Sequence, residues 1–231
     1  MTRVPDLHAI KSFVFDCDGV LLDSNRVKTE AFRTVAAQFG DEAAEELVRY
    51  HTEHGGVSRY RKFEYLLKAI LRREADPVLV EQLSVEYGEC VERDLLQCTL
   101  APGLARLREQ TRGASWMVVS GGDQSQLRRV FDARGLTEMF DSGIFGSPTP
   151  KDEILMREIR RGAICLPALY LGDSRFDHVA SAQAGMDFVF VSAWSEFRGW
   201  QSYCAEKNIP MVDTVAALLP LVWKHSMSTS A

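Results

Sequence analysis

The chain has 231 residues, 46% of them hydrophobic and 26% charged, the balance of a globular protein able to bury a core. Its net charge of -5 gives no general electrostatic pull toward nucleic acid or an anionic membrane, so an anionic ligand has to be caught by local positive groups. No window approaches the roughly 18 apolar residues of a membrane span, and no basic-then-apolar leader opens the sequence; a soluble, cytoplasmic protein without membrane or nucleic-acid partners is expected.

The first predicted element is a strand over 13–15 (FVF) that stops at Asp16 and Asp18, with Gly19 following at once. A short apolar run of this kind suits a buried parallel strand, whose carboxyl end is where open α/β sheets place their chemistry. Residues i and i+2 leave a strand on the same side, so the two carboxylates converge while Cys17 turns away. Like charges held that close favour a divalent cation or a raised pKa.

From residue 25 to about 98 the periodicity is helical, with stripes at Val27, Ala31, Val35 and Phe39, at Phe63, Leu66, Leu67, Ile70 and Leu71, and at Leu79, Leu83, Tyr87 and Val91. Between two of these helices lies His54-Gly55-Gly56-Val57-Ser58-Arg59. The Gly-Gly break lets backbone approach a ligand, and Ser58 with Arg59 could hold an oxyanion. The equal alternative is a helix end at Gly55 and a Ser58 N-cap, with Arg59 solvated. Arg61 and Lys62 add local positive charge, and Asn25 and Lys28 fall just past the first strand.

After Pro102-Gly103 strands alternate with helices, the pattern of a parallel sheet. Strands are predicted over 115–119, 142–145, 168–171 and 188–191. Helices carry Leu127, Val130 and Phe131, then Ile154, Leu155 and Ile159, then Val179 and Ala182, and a last one covers 215–223. The polar end SMSTSA is expected to fray. A lone first strand has no partner, so it joins this sheet. The fold class is α/β: a doubly wound parallel sheet formed by 1–24 and 99–231, with a small all-helical cap of 25–98.

Ser120 ends the strand 115–119 and precedes Gly121-Gly122 and a helix. A hydroxyl and backbone N–H groups before a helix N-terminus make a phosphate seat; the plain alternative is a helix start with Ser120 or Asp123 as N-cap. Strand 168–171 runs into Gly172-Asp173-Ser174-Arg175-Phe176-Asp177, two acids in a turn-like sequence. The five cysteines are odd in number and form no CxxC, which argues against a disulfide framework or zinc site and for small apolar residues. The five scattered histidines read as surface or capping groups, with only His51 and His54 close together.

In order along the chain, Asp16-Cys17-Asp18-Gly19 with Asp23-Ser24, then Ser120, Lys151, and Gly172-Asp173 with Asp177 resemble the motif set of the haloacid dehalogenase-like superfamily, whose phosphatase branch opens with DxDGxxxDS. The position of the helical insert resembles the phosphoglycolate phosphatase and β-phosphoglucomutase branch. The resemblance covers the whole core and implies a Rossmann-like sheet and an Mg²⁺-dependent phosphatase. The substrate it implies is a small phosphorylated metabolite, a sugar phosphate or a phosphoglycolate-like hydroxy acid. By the same resemblance Asp16 is the nucleophile that forms an aspartyl-phosphate, and Asp18 is the general acid and then base. Ser120, Gly121 and Lys151 hold the phosphoryl oxygens. Asp16, the Asp18 carbonyl and Asp173 hold the metal, and Asp177 orients Lys151 or a metal-bound water. Lys151 is the one lysine between Ser120 and Asp173, although many relatives carry it before the prolines rather than after, as in SPTPK here.

The stretch GVSR resembles the GxSR of β-phosphoglucomutase, which implies substrate contacts at Gly56, Ser58 and Arg59 and makes a phosphomutase the alternative. That branch carries a histidine where this chain has Lys28, which favours hydrolysis. Asp18 argues against a metal-free dehalogenase. Intact Asp16, Asp18, Lys151 and Asp173 argue against a binding module without catalysis.

Overall fold

The computed structural model describes residues 4–226. Its sheet starts from β1 (Ser12–Phe15), whose four residues are all buried because both faces are covered. The chain then builds helices α1 (Asn25–Ala36), α2 (Asp41–Glu53), α3 (Arg59–Tyr65) and α4 (Pro77–Gln97) before any further strand. There follow α5 (Leu104–Gln110), β2 (Ser115–Asp123), α6 (Gln124–Ala133), β3 (Ile144–Ser147), α7 (Lys151–Arg160), β4 (Ala168–Gly172), α8 (Arg175–Gln183), β5 (Asp187–Val191), α9 (Trp200–Lys207), β6 (Met211–Val212) and α10 (Leu219–Ser226). The strands are parallel and lie in the order β3-β2-β1-β4-β5-β6, a doubly wound α/β sheet.

Strand alternation divides the core. Phe13 and Phe15 join Trp116, Val118, Leu169 and Leu171 on one face, while Val14, Met117, Val119 and Tyr170 join Ile154 and Leu155 of α7 on the other. The first face centres on Trp116, 4.6 Å from Phe15 between ring centroids, with its indole N–H donated to Thr111 Oγ1 at 3.0 Å. Register sets the ends of the central strands level, since Phe15 pairs with Val118 on β2 and Leu171 on β4. Asp16 therefore leaves the sheet between Ser120 and Asp173. β1 is also where the strand order reverses, the crevice in which open α/β sheets bind ligands.

The helical stretch α1–α4 leaves and rejoins the sheet through two adjacent segments. Asp23 N–H donates to Thr99 O at 2.9 Å and Ala101 N–H to Leu21 O at 2.8 Å, so exit and return are laced together. α4 begins with Pro77 behind an Asp76 cap that accepts from Val78 N–H, a favoured helix start.

Several elements differ from the sequence expectation. β2 does not end at Val119 but runs through Ser120, Gly121 and Gly122 to Asp123, because a register shift against β3 between Val119 and Asp123 absorbs the glycines. The cap of α6 is thus Asp123, accepting from Gln126 N–H at 2.9 Å, and Ser120 lies in the strand rather than at a helix start. β3 begins two residues later than expected, and residues 215–218 form a 3₁₀ turn before α10. Cys90 and Cys165 are exposed, whereas Cys17 and Cys204 fill the core as small apolar groups. Of the SMSTSA end, residues 227–231 lie outside the described residues. Among the described residues no helix is long and apolar enough to cross a membrane.

Candidate active site

Asp16 is buried just past β1, and both of its oxygens are held. Oδ1 accepts the Cys17 N–H at 2.7 Å, and Oδ2 meets Lys151 Nζ at 2.8 Å. Lys151 opens α7 against the helix dipole, which two carboxylates offset: Asp16 and, at 2.5 Å, Asp177 Oδ1. Asp177 is fixed in turn. Its Oδ2 accepts from Ser174 Oγ at 2.6 Å in a capping box that starts α8, and Tyr170 OH donates to its Oδ1 at 3.2 Å. Burial opposes the charge on Lys151, but Asp16 and Asp177 outweigh it and pull its pKa up. It is therefore a permanent cation.

Asp18 turns the other way. Its Oδ2 meets Lys28 Nζ of α1 at 2.5 Å, and its Oδ1 accepts from Ser24 Oγ at 2.6 Å. The Ser24 hydroxyl thus serves Asp18 rather than capping α1, whose first residues lack a side-chain cap. Burial would push the Asp18 pKa up, yet Lys28 with the Ser24 hydroxyl holds it below the usual value. The two acids that alternation sends to one side are thereby separated onto different lysines. Ser120 Oγ lies 3.5 Å from Asp18 Oδ2 and accepts the Gly122 N–H at 3.0 Å.

Asp173, beyond β4, receives Asn25 Nδ2 at 2.7 Å on Oδ2, and Ser195 Oγ donates to its carbonyl at 2.6 Å. Oxygens of Asp16, Asp173 and Asp177 lie within 4.8 Å of one another. Burial first, with Lys151 opposing and Asp177 and Asp18 adding, pushes Asp16 up to about 7; burial and then Asp16 and Asp177 push Asp173 well above its usual value. Crowded acids so shifted are short of positive charge. The donors are hard oxygens, and the Asp18 carbonyl accepts no hydrogen bond among the described residues. This set fits Mg²⁺. Asp177, engaged by Lys151 and Ser174, is the member least free to ligate.

The helical stretch closes over these groups. A Cβ at Gly121 would run into the Gly56 carbonyl, and one at Gly56 would come to 3.3 Å from Lys151 Nζ, so the Gly55–Gly56 turn lies directly on the core. Gly56 has φ +80°, a conformation that glycine adopts freely. Ser58 caps α3, accepting from Arg61 N–H at 3.4 Å. Arg59 is buried rather than solvated: Nη1 donates to Ser84 O at 3.1 Å, Nη2 donates to Gln126 Oε1 at 2.5 Å, and the guanidinium covers the Tyr87 ring at 4.8 Å. A cavity of about 60 Å³ remains, lined by Asp16, Asp18, Asp173, Lys28, Arg59 and Lys62 among others.

The structure therefore brings Asp16, Asp18, Ser120, Lys151, Asp173 and Asp177 together with Gly56 and Gly121, and turns Ser58 and Arg59 toward protein partners. Sequence reasoning missed that Lys28 clasps Asp18 and that His51 is a buried partner of Lys62, at 2.6 Å. Helical spacing carried a signal for both lysines. Lys28 precedes buried Ala31 and Phe32 by three and four residues, and Lys62 precedes buried Leu66 by four.

A family model described as haloacid dehalogenase-like hydrolase matches residues 10–185. Among solved structures the chain is similar to CbbY from Rhodobacter sphaeroides in complex with phosphate (19% identity, TM-score 0.68, 90% of this chain and 96% of that one). It is also similar to a haloacid dehalogenase-like family hydrolase from Streptococcus pneumoniae (18%, 0.66, 91% and 98%). A third is β-phosphoglucomutase from Clostridium difficile (18%, 0.69, 95% and 99%). At these identities the likeness is one of fold. No curated protein matches.

Proposed function

The chain belongs to the haloacid dehalogenase-like hydrolase family, and we propose that it is an Mg²⁺-dependent phosphatase of a small phosphorylated metabolite, with 1–24 and 99–231 as catalytic core and 25–98 as cap. One observation carries this reading: the Asp16 carboxylate is fixed between the Cys17 N–H and the buried Lys151, in a cavity it shares with Asp18 and Asp173. A carboxylate so held is a preorganised nucleophile.

In the first step an Asp16 oxygen forms a bond to phosphorus as the ester P–O bond breaks, and Asp18, in the minority protonated form that its lowered pKa leaves, delivers its proton to the leaving alkoxide. In the second step Asp18, now a carboxylate, takes a proton from the water that attacks phosphorus, and phosphate leaves as Asp16 is released. Lys151, the Ser120 hydroxyl and the backbone at Gly121 face charge on the phosphoryl oxygens. Asp16, the Asp18 carbonyl and Asp173 would hold the Mg²⁺, which when bound offsets that same charge. The phosphate complex of the similarly folded CbbY agrees with a phosphoryl ligand. The Lys28–Asp18 pair favours hydrolysis over a phosphomutase, because a permanent cation keeps Asp18 ready as base for water.

Purified protein should hydrolyse p-nitrophenyl phosphate with Mg²⁺, stop in EDTA, and lose about 10⁴-fold or more of kcat in Asp16→Asn. Metal-independent turnover, or an active Asp16→Asn, overturns the mechanism.

A further inference from the structure

Gln126 is the third residue of α6, three after the Asp123 cap, a position from which a Gln side chain ordinarily turns back to the N–H of the capping residue. Here it turns outward. Asp123 accepts its backbone N–H, but the side chain reaches two of the inserted helices: Oε1 accepts from Arg59 Nη2 of α3 at 2.5 Å, and Nε2 donates to Gly88 O of α4 at 2.9 Å. Both Gln126 and Arg59 are buried. Arg59 also donates to Ser84 O of α4, so among the described residues both of its hydrogen-bond acceptors are uncharged. Beside this pair Tyr60 OH donates to Asp123 Oδ2 at 3.2 Å. Gly88 leaves the space, although glycine is less favourable than alanine inside a helix: a Cβ there would lie 2.9 Å from Arg59 Nη1 and 3.7 Å from Gln126 Nε2.

A buried guanidinium that lacks an anion depends on each acceptor it has, and the only side chain that supplies one to Arg59 comes from α6, outside the helical insert. We propose that Gln126 is a positioning residue for the phosphatase reaction: through Arg59 it fixes the start of α3, and with it the Gly55–Gly56 turn, over Lys151 and Gly121. The proposal rests on the phosphatase reading of this cavity. Arg59 begins α3 only three residues after Gly56, so helix start and turn move together. An amide suits the place, because it offers an acceptor to Arg59 and a donor to Gly88 O at once, whereas a carboxylate would set two oxygens against each other at Gly88. Arg59 is thereby assigned to holding the turn and not to touching the substrate. Loss of the latch lowers the fraction of molecules in which the turn covers the site, and apparent affinity falls with that fraction. Asp16 and its partners are untouched.

The test compares Gln126→Met, Arg59→Met and the double variant with the parent, each loaded with Mg²⁺. With p-nitrophenyl phosphate each single variant should raise KM about fivefold or more, the loss of one charge-assisted bond, with kcat held within about twofold. The double variant should be no worse than Arg59→Met alone. An unchanged KM in Gln126→Met overturns the proposal, and so do effects that add, because Gln126 then does not act through Arg59. Hydrogen exchange without substrate separates the latch from general stability and from turnover. In Gln126→Met the amides of 55–65 should exchange faster while those of β1 and β4 keep their protection; unchanged exchange at 55–65, or equal loosening of β1 and β4, overturns the latch. Absence of turnover in the parent counts against the phosphatase reading instead, and exchange still decides whether Gln126 holds the turn.

Discussion

Asp18 and Lys28 show how one side chain can set the charge of another inside a cavity. With Lys28 at 2.5 Å the carboxyl stays below its usual pKa although it is largely withdrawn from solvent. Remove the cation and burial dominates, so the Asp18 pKa rises. A higher pKa leaves less carboxylate at a given pH to activate water. Lys28→Met should therefore lower kcat and move the acidic limb of its pH profile to higher pH; an unmoved limb shows that Lys28 does not govern Asp18. Residue types and alternation made Asp16, Asp18 and Asp173 legible as acids at strand ends. The clasp itself was not legible: helical spacing sets Lys28 on the stripe of Ala31 and Phe32, but which acid it meets depends on how α1 packs against the end of β1.

At the scale of elements, the contact between the Gly55–Gly56 turn and β2 joins the helical stretch to the sheet. Gly121 has no positive φ, so alanine is conformationally allowed there, but its Cβ would strike the Gly56 carbonyl. Gly121→Ala should push the turn off the strand. KM for a phosphomonoester then rises several-fold while the melting temperature falls by only a few degrees, since the clash lies at a contact between elements and not in a packed core. An unchanged KM means that the turn does not bear on the substrate. The strongly patterned strands and helices of the sheet were readable from periodicity. α9 and β6 were not. Only Cys204 is buried along the eight residues of α9, so no stripe exists to read, and β6 is two residues long. The extension of β2 was hidden as well, since paired glycines signal a turn and here sit at a register shift.

Across the whole molecule, the twin segments near 21–24 and 98–101 hold the helices over a pocket of acids whose charge the fold does not balance. The doubly wound sheet followed from the order of elements; how closely the helices cover it did not, because that depends on contacts between residues far apart in sequence. The imbalance has a thermodynamic consequence. Asp16, pushed up to about 7, and Asp173, also raised, bind more protons folded than unfolded as pH rises above about 4, so their contribution to stability declines from there through about 7. A divalent cation reverses this, because it binds the deprotonated carboxylates of the folded state alone. Addition of Mg²⁺ at about 100 times its Kd stabilises by roughly 2.7 kcal/mol, or about 5–10 °C in Tm for a chain of this length. The gain should be larger at pH 8 than at pH 5.5, where protons compete for the ligands, and should vanish in Asp173→Asn. Thermal unfolding followed by circular dichroism measures it directly: equal Tm with and without Mg²⁺ at pH 8 would show that these acids are not a metal site, whatever the enzyme turns over.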